Sequence, residues 1–442
     1  MTVRQSETLF SYYLVPIATF LFIMLPYSKI AGLEPLYWLT IFLFIFYFSF
    51  SKKIYLKEIW FYLIPIIIQI ICLFSKYIVY DKINADTIKD ILKNIHTFVL
   101  VVLAYSYFRN KPLNYLKIQL YNQYRSIFII LIILSIIGIA QYLKVPFIRN
   151  IIEGLYEIKR THKVGYEITN FELAQTLSRI NGIFGSPLAF AAMLSPLLIL
   201  IYSMRGFLNI KLWKLFFFIL SMLTLYLTFS RASFLTCILG IIIISVREKS
   251  LQRIFQLSFL GLIIYIIYTQ FLHNESTSNT SRLLELFTYI KSGFNSDYLP
   301  SSLGSRINYM STIYFSLAKS SSMLVGINMS DYYEDLQGYS FESQYFAWYM
   351  KYGIFGVLFF LWYVALAFRM KKRLRIFTNN SFLFNVTLGI TIVLFTNFIV
   401  GITQQSVHGR HIREILYLNI AIIEAGLYQY TKIKLNGNRR IK

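Results

Sequence analysis

Apolar runs of about 15 to 20 residues recur from one end of this 442-residue chain to the other. A helix that crosses the hydrocarbon core of a bilayer, about 30 Å thick, needs about 20 such residues. Hydrophobic residues make up 57% of the chain and charged residues only 14%, against about 25% charged in soluble domains. The sequence therefore predicts an all-α, polytopic integral membrane protein that forms a single domain over 1–442, with no separate soluble domain.

The apolar runs predict about twelve membrane-spanning helices. They lie near 9–26, 34–50, 58–75, 95–108, 126–143, 187–204, 212–229, 233–246, 254–272, 346–368, 382–402 and 412–430. The first run follows MTVRQSETLF without a small-residue cleavage site, so we interpret it as a spanning helix rather than a cleaved signal. Two connections are long, 144–186 and 273–345, and the others are short.

Lysine and arginine are unevenly divided between the predicted loops. One set of loops (51–57, 109–125, 205–214, 247–253, 369–381 and 431–442) holds 23 of them in about 66 residues, and the other holds 18 in about 153 residues. Cytoplasmic loops carry the excess of positive charge. The pattern therefore places the first set and both termini in the cytoplasm, and it places the two long loops on the outer side of the membrane.

The same uneven distribution explains the formal charge of +23. Insertion and anionic lipid account for cytoplasmic positive charge, so we infer no nucleic-acid partner. The chain contains no GxGxxG, GxxxxGK(S/T), HExxH or CxxC motif, so no nucleotide, metal or other cofactor is expected. Cys72 and Cys237 fall within apolar runs and are predicted to be free, buried thiols.

Arg231 stands alone between two apolar runs, in Thr228-Phe229-Ser230-Arg231. It is interpreted either as an interfacial arginine that reaches lipid headgroups or as an anion clamp, because guanidinium binds phosphate oxygens in a bidentate way and keeps its charge. Arg179 and Arg306, one in each long loop, would complete a cationic cup on the same face. Each of these two is equally well interpreted as a solvated loop arginine.

Glu342 stands just before an aromatic-rich apolar run, in Glu342 to Gly356, ESQYFAWYMKYGIFG. A carboxylate at this position is interpreted as a helix cap or as a general base toward a sugar hydroxyl. Tyr345 and Trp348 would then offer flat faces to sugar rings, although aromatic residues are also common at membrane interfaces.

The turn from Val407 to Arg413, VHGRHIR, holds His408, Arg410 and His411. A histidine here is an alternative base or a sugar contact, and the other interpretation is an ordinary interfacial polar turn. A metal site is not expected, because no third ligand is evident.

The order of these motifs resembles the bacterial O-antigen polymerase and O-antigen ligase (Wzy/WaaL) superfamily. The matching elements, within 179–360, are RINGIFGSP from Arg179 to Pro187, T-x-S-R ending at Arg231, Ser305-Arg306 with Gly326 about twenty residues on, and E-x-x-Y-F with Y-G-I-F-G from Glu342 to Gly356. The large loop also holds one R-x10-G segment, Arg282 to Gly293, whereas Phe190 stands where Arg179 would need its glycine.

The resemblance implies a metal-independent glycosyltransferase that polymerises oligosaccharide repeat units carried on undecaprenyl pyrophosphate, for O-antigen or a similar surface polysaccharide. It implies that Arg231 and Arg306 hold the pyrophosphate, that Arg179 and Arg282 handle substrate, and that Glu342 activates the acceptor. Donor and acceptor glycans on the carrier lipid, membrane lipid and a polysaccharide chain-length regulator are the partners that it allows.

Three alternatives stay open. In the ligases, the position before the last aromatic-rich helix resembles H-N-x-x-L, whereas this chain has Glu342-Ser343-Gln344-Tyr345; this departure favours a polymerase over a ligase. A lipid-linked oligosaccharide flippase is an alternative from a different class, although transporters usually show related halves and charges at mid-membrane. A peptidoglycan polymerase shares the plan of helices and one long outer loop, but its acidic motif is not seen.

Overall fold

The computed structural model describes the chain in fourteen segments. They are 3–24, 54–81, 85–147, 160–163, 166–169, 180, 182–183, 187–208, 212–228, 230–247, 291–293, 322–326, 344–401 and 412–439. Helices dominate these segments, as the sequence predicted.

The helices are numbered in chain order. The first seven are α1 (Val3–Met24), α2 (Ile64–Tyr80, preceded by a 3-10 turn at Trp60–Leu63), α3 (Ala85–Phe108), α4 (Leu113–Tyr142), α5 (Pro187–Ser203), α6 (Leu212–Leu227) and α7 (Arg231–Arg247). The rest are α8 (Ser322–Val325), α9 (Gln344–Tyr352), α10 (Ile354–Ile376), α11 (Ser381–Gly401) and α12 (Ile412–Arg439).

Ten of the twelve predicted spans coincide with described helices, and the predictions for 34–50 and 254–272 lie outside the described residues. Among the described helices, five are long and apolar enough to cross a membrane: Trp60–Tyr80, Thr87–Phe108, Leu113–Tyr142, Ile354–Ile376 and Ser381–Gly401. The outer stripe of α2 shows why such a helix needs lipid, since Ile71, Phe74 and Ile78 expose 49%, 64% and 81% of their surface. Contiguous apolar surface of this kind is not stable against water. The chain is a helical membrane protein.

A small β-hairpin is an addition that the all-α prediction did not contain. Strand β1 (Arg160–Lys163) pairs antiparallel with β2 (Tyr166–Thr169), with Arg160 opposite Thr169 and Lys163 opposite Tyr166. The hairpin lies within the connection 144–186, whose length the apolar pattern indicated but whose internal structure it could not.

The core is built around α5. From Phe190 to Ser203 every residue except Ala192 is buried, because α7 and α11 pack on α5 and on each other. Small residues allow this close approach: a Cβ on Gly240 of α7 would lie 2.8 Å from Ile199 of α5 and 3.2 Å from Ile392 of α11. A helix that is apolar on all sides is thus placed where no side faces lipid.

The helix directions define two ends of the bundle. We call one end the motif end, because the helix termini there lie nearest to the sequence motifs; they include Tyr142, Pro187, Leu227 and Gly401. We call the other the basic end, and it contains the opposite termini of the same helices. At the basic end, the Tyr202 hydroxyl lies 2.6 Å from Ser245 Oγ, and the rings of Phe207 and Phe382 lie 5.1 Å apart. The described parts of 109–125, 205–214 and 369–381, all predicted to be cytoplasmic, lie at the basic end.

The direction of α1 differs from the prediction. Ser126 Oγ of α4 donates to the Pro16 carbonyl at 3.2 Å, and Gln123 Nε2 donates to Thr19 Oγ1 at 3.1 Å. As the number rises in α1 it falls in α4, so the two helices run antiparallel, whereas strict alternation of the predicted spans makes them parallel.

In the described helices, α1 begins at the motif end and α12 finishes at the basic end, an arrangement that differs from the predicted alternation, while the side that each terminus faces stays a prediction. The physical reason is that loop charge did not assign the N-terminal side. The first eight residues carry only Arg4 and Glu7, which give no net charge. The predicted side of the N-terminus therefore came only from counting each apolar run as one crossing.

The predicted span 346–368 is also divided in the structure. Gly353 has φ +56°, which separates α9 from α10. A Cβ at this position would overlap the Leu324 carbonyl oxygen, and it would lie 2.7 Å from the Gly326 nitrogen. Glycine is required here both for the left-handed backbone conformation and for the close approach of α8.

Labelling with a membrane-impermeant maleimide tests the helix directions. Ser6→Cys and Lys144→Cys should react from one side of the membrane and Lys371→Cys from the other, because α1 runs opposite to α4. Cys72 and Cys237 are buried and should stay unlabelled, which the unsubstituted protein checks. If Ser6→Cys and Lys371→Cys react from the same side, the antiparallel packing of α1 is contradicted.

Candidate functional site at the motif end

The loop that follows Arg179 is held by one glutamine side chain. Gln141, near the end of α4, donates from Nε2 to the Gly182 carbonyl at 2.8 Å and accepts the Gly182 N–H on Oε1 at 2.8 Å. Ile180 and Ile183 on either side are 1% and 2% exposed. Because a buried backbone must be paired, this two-bond contact fixes the R-x-x-G loop against α4.

Two glycines bring this loop close to α5 and α6. Gly182 has φ +57°, and a Cβ on it would lie 2.6 Å from the ring of Phe190 in α5. A Cβ on Gly138 of α4 would lie 2.6 Å from Thr224 Cγ2 in α6 and 3.1 Å from Ile180. The described part of the R-x-x-G loop thus packs at the level of Thr224. Thr224 lies about one helical turn before Thr228, the first residue of the T-x-S-R segment.

Hydroxyl groups shape the T-x-S-R turn. Thr228 Oγ1 donates to the Leu225 carbonyl at 2.7 Å and accepts the Ser230 N–H at 3.2 Å, and the Ser230 carbonyl accepts the Phe234 N–H at 3.0 Å. Thr228 and Ser230 are buried, 0% and 2% exposed. Arg231 is consequently the first residue of α7 at the motif end, and its side chain lies outside what the structure describes.

Trp348 of α9 lies in the protein core, and Tyr345 packs against this core rather than lying on a free surface. The Tyr345 hydroxyl donates to the Phe398 carbonyl at 2.6 Å, and its ring would be 2.9 Å from a Cβ on Gly401. Trp348 is 4% exposed, with its ring 5.6 Å from that of Phe359. Burial raises the pKa of the Tyr345 hydroxyl above its ordinary value, so this group stays a donor.

The expectation that Tyr345 and Trp348 present flat faces to sugars differs from this arrangement. Residues 345, 348 and 352 follow the i, i+3, i+7 spacing that forms one helix face, and this face packs on α10 and α11. The structure uses these rings to anchor α9, and a sugar contact by them stays a prediction.

Most predicted site residues lie outside the described segments: Arg179, Arg282, Arg306, Glu342, His408, Arg410 and His411. Their described neighbours nevertheless mark where three of these segments reach the bundle. Ile180 follows Arg179, Gln344 begins α9 two residues after Glu342, and Ile412 begins α12 directly after His411. These three residues and Arg231 all lie at the motif end.

A buried ion pair begins α12 beside the predicted histidine turn. Arg413 donates from its guanidinium to Glu414 Oε1 at 2.8 Å, and the two residues are 8% and 1% exposed. The sequence analysis placed Arg413 in the outer turn, but the structure places it in the first turn of a helix. Its charge is therefore matched inside the protein, and Arg410 is the arginine of this turn that remains a candidate for substrate.

A polar cluster at the motif end was missed by the sequence analysis. Asp90 of α3 lies 2.6 Å from Lys351 Nζ of α9 and accepts a short hydrogen bond from the Tyr352 hydroxyl. Lys76 of α2, which is 1% exposed, donates from Nζ to the Lys351 carbonyl at 2.6 Å. The predicted spans end at 75 and resume at 95, which leaves 76–94 as a loop, whereas Lys76 lies near the end of α2 and Asp90 near the start of α3. One sequence signal for this cluster was available: Lys76 is a charged residue within the apolar stretch that continues to Tyr80.

A second buried cluster lies at the basic end, around Glu424 of α12. This carboxylate is 5% exposed and binds Arg369 Nε at 2.8 Å and Arg373 at 3.0 Å, both from α10. The Tyr62 hydroxyl also donates to it at 3.3 Å. Arg369 and Arg373 were predicted to be loop residues, whereas α10 continues through both and directs them at Glu424.

Within the described segments, no group of three or more His, Cys, Asp or Glu side chains comes together as metal ligands would. Searches of protein-family models and of curated protein sequences find no match to this chain. Any functional assignment therefore depends on the motifs and on their placement at one end of the bundle.

Alanine substitutions at three glycines test how the R-x-x-G loop is held. Gly182→Ala should destabilise the protein, by about 1 to 2 kcal/mol for the left-handed backbone and about 1 to 3 kcal/mol for the overlap with Phe190. Gly293→Ala, with φ +71° and nothing within 4 Å, should show only the first effect. Gly206→Ala, with open space around it, should stay within about 0.5 kcal/mol of the parent.

Thermal unfolding of the three purified variants in one detergent measures this order. Equal midpoints for Gly182→Ala and Gly206→Ala would contradict the packing of the loop against α5.

Proposed function

We propose that this protein is an O-antigen-type polysaccharide polymerase, which joins lipid-linked repeat units on the outer face of a bacterial inner membrane. The observation that carries the proposal is the convergence of the motifs. The R-x-x-G loop, the T-x-S-R turn, Gly326 and the start of α9 come from widely separated parts of the chain, yet they reach the same end of the bundle through specific contacts.

The proposed chemistry is a single displacement at the anomeric carbon. The oxygen of an acceptor sugar hydroxyl forms the new glycosidic bond, the bond from that carbon to the pyrophosphate oxygen breaks, and undecaprenyl pyrophosphate leaves with the electron pair. Glu342 accepts the hydroxyl proton as the general base. Arg231 and Arg306 stabilise the negative charge that develops on the departing pyrophosphate, which is the electrostatic contribution expected to be largest.

The described framework supports this chemistry in physical terms. Arg231 begins α7, whose packing on α5 and α11 is close and apolar, so its backbone is held in place. Glu342 comes two residues before α9, which is anchored at its first turn by Tyr345 and at its last by Asp90. Orientation of reacting groups contributes several kcal/mol to catalysis only when the framework is rigid.

A flippase for lipid-linked oligosaccharides is the second candidate, and one observation favours it. Buried charges lie at both ends of the bundle, around Asp90 and around Glu424, and buried charges within membrane proteins often belong to transport pathways. A ligase differs from the polymerase only in its acceptor. The three functions leave different products in cells, so one experiment separates them.

Deletion of the gene, followed by gel analysis of surface polysaccharide and of carrier lipid, is that experiment. A polymerase deletion should leave a single repeat unit on each surface anchor. Loss of a ligase should leave long chains on the carrier lipid, and loss of a flippase should leave neither long chains nor single units outside. Either of the last two patterns would contradict the proposal.

Variants returned to the deletion strain test the site residues. Arg231→Ala and Glu342→Gln should restore no long chains, because the first removes the pyrophosphate clamp and the second removes the base. Arg375→Ala is the matched control, since Arg375 is exposed at the basic end, and it should restore the full ladder. Full-length chains from Arg231→Ala would refute the clamp, and those from Glu342→Gln would move the base to His408, His411 or another group.

A further inference from the structure

The last turn of α9 is held by charged groups from two other helices. Lys76 of α2 donates to the Lys351 carbonyl at 2.6 Å, where the α9 backbone ends. Asp90 of α3 holds the side chains of the last two residues of α9, since it binds Lys351 Nζ at 2.6 Å and the Tyr352 hydroxyl. A cation beside a helix C-terminus and an anion beside its lysine are each favourable.

The polar contacts continue away from Asp90 into α2 and α3. Gln69 Nε2 donates to the Tyr352 hydroxyl at 3.4 Å, and Asn94 Nδ2 donates to Gln69 Oε1 at 2.8 Å. Tyr352 is 3% exposed and Gln69 2%. Buried networks of this kind specify one arrangement of the elements that they join, because a shifted arrangement would leave polar groups unpaired.

Part of the long connection 273–345 also contacts the end of α9. The Tyr80 hydroxyl of α2 donates to the Gly326 carbonyl at 2.9 Å. Gly326 has φ +79°, and a Cβ on it would lie 2.5 Å from the Lys351 carbonyl carbon and the Tyr352 nitrogen. The backbone of 322–326 thus lies directly against the break at Gly353, in contact with the turn that Lys76 and Asp90 hold.

Burial of Lys76 shows that this arrangement is costly to form. An ammonium group that is removed from water loses its hydration, and Lys76 is 1% exposed. A purely structural contact between two apolar helices does not need a buried cation, and hydrophobic replacement of buried ion pairs is often neutral or stabilising. The charges are better explained by a need to place α9 and 322–326 accurately.

From these contacts we propose that Lys76, Tyr80 and Asp90 form a clasp of positioning residues for the transfer reaction, an inference that rests on the proposed function. Asp90 and Lys76 set the position of α9, and thereby of Glu342 ten residues before its last residue. Tyr80 sets the position of 322–326, a described part of the connection 273–345 that also carries Arg306. The clasp therefore fixes α9, which begins two residues after the proposed base, relative to 322–326, and it does so without touching substrate.

Kinetics of purified variants test the clasp, with the lipid-linked repeat unit extracted from the deletion strain as substrate. Asp90→Asn and Lys351→Met should each lower kcat about 10- to 100-fold with KM changed less than about threefold, because a 1 Å misplacement costs up to about 100-fold while binding is retained. Asp90→Glu, which keeps the charge, should recover most of the lost kcat.

Lys93→Met is the matched control. Lys93 Nζ binds the same Asp90 carboxylate at 3.1 Å, but it lies on α3 itself, three residues after Asp90, so its loss leaves the contact between Asp90 and α9 in place and kcat should stay within about twofold. A kcat for Lys351→Met equal to that of the parent would overturn the proposal. So would an equal loss in Lys93→Met, or a loss in Asp90→Asn that Asp90→Glu does not restore, because the charge would then act only on folding.

A distance measurement gives a readout that does not depend on activity. Spin labels on Leu324→Cys and Ile78→Cys, at side chains 64% and 81% exposed, should give one narrow distance distribution in the parent and a broader one in Tyr80→Phe and Asp90→Asn. Unchanged distributions in both variants would overturn the clasp. If deletion of the gene does not leave single repeat units on the surface anchor, the proposed function fails; if it does and the clasp variants retain full activity, the function stands and the clasp fails.

Discussion

The absence of water inside a bilayer is the constraint on which the rest of this structure depends. Backbone groups must be paired within the bilayer, so the long apolar segments that the structure describes are helices. Apolar packing alone then places the central helix α5, while positions such as Gly240 let neighbouring helices approach it closely. The charged clusters around Asp90 and Glu424 lie at the two ends of the bundle.

Charged side chains join the helices at both ends, in two different ways. At the basic end, Glu424 holds two arginines of α10, which ties α10 to α12. At the motif end, Asp90 and Lys76 tie α9 to α2 and α3. Both clusters involve the helix pair on either side of Gly353, so the segment closest to the proposed base is fixed at its two ends by charge and along its length by aromatic packing.

Sequence reasoning predicted the membrane class and ten of the helical positions, because apolar run length reports directly on hydrocarbon thickness. It failed for the direction of α1, since Arg4 and Glu7 give no net charge bias and each run was counted as one crossing. It also could not place Lys76, Asp90 or Glu424. A charged residue looks the same in the sequence whether it meets water or an ion partner 261 residues away in the chain, as Asp90 and Lys351 do. The motif residues were found by pattern, while Gln141, which holds the Arg179 loop, carries no such signal.

The break at Gly353 has a consequence for how the protein fits its membrane. Residues 344–376 as one straight helix would be about 50 Å long, well beyond a hydrocarbon core of about 30 Å. With the break, α10 by itself has the length of a membrane span, and α9 packs on α2 and α3 through separate contacts. A change in helix tilt that matches a change in bilayer thickness can then be confined to α10, because Gly353 separates the two helices.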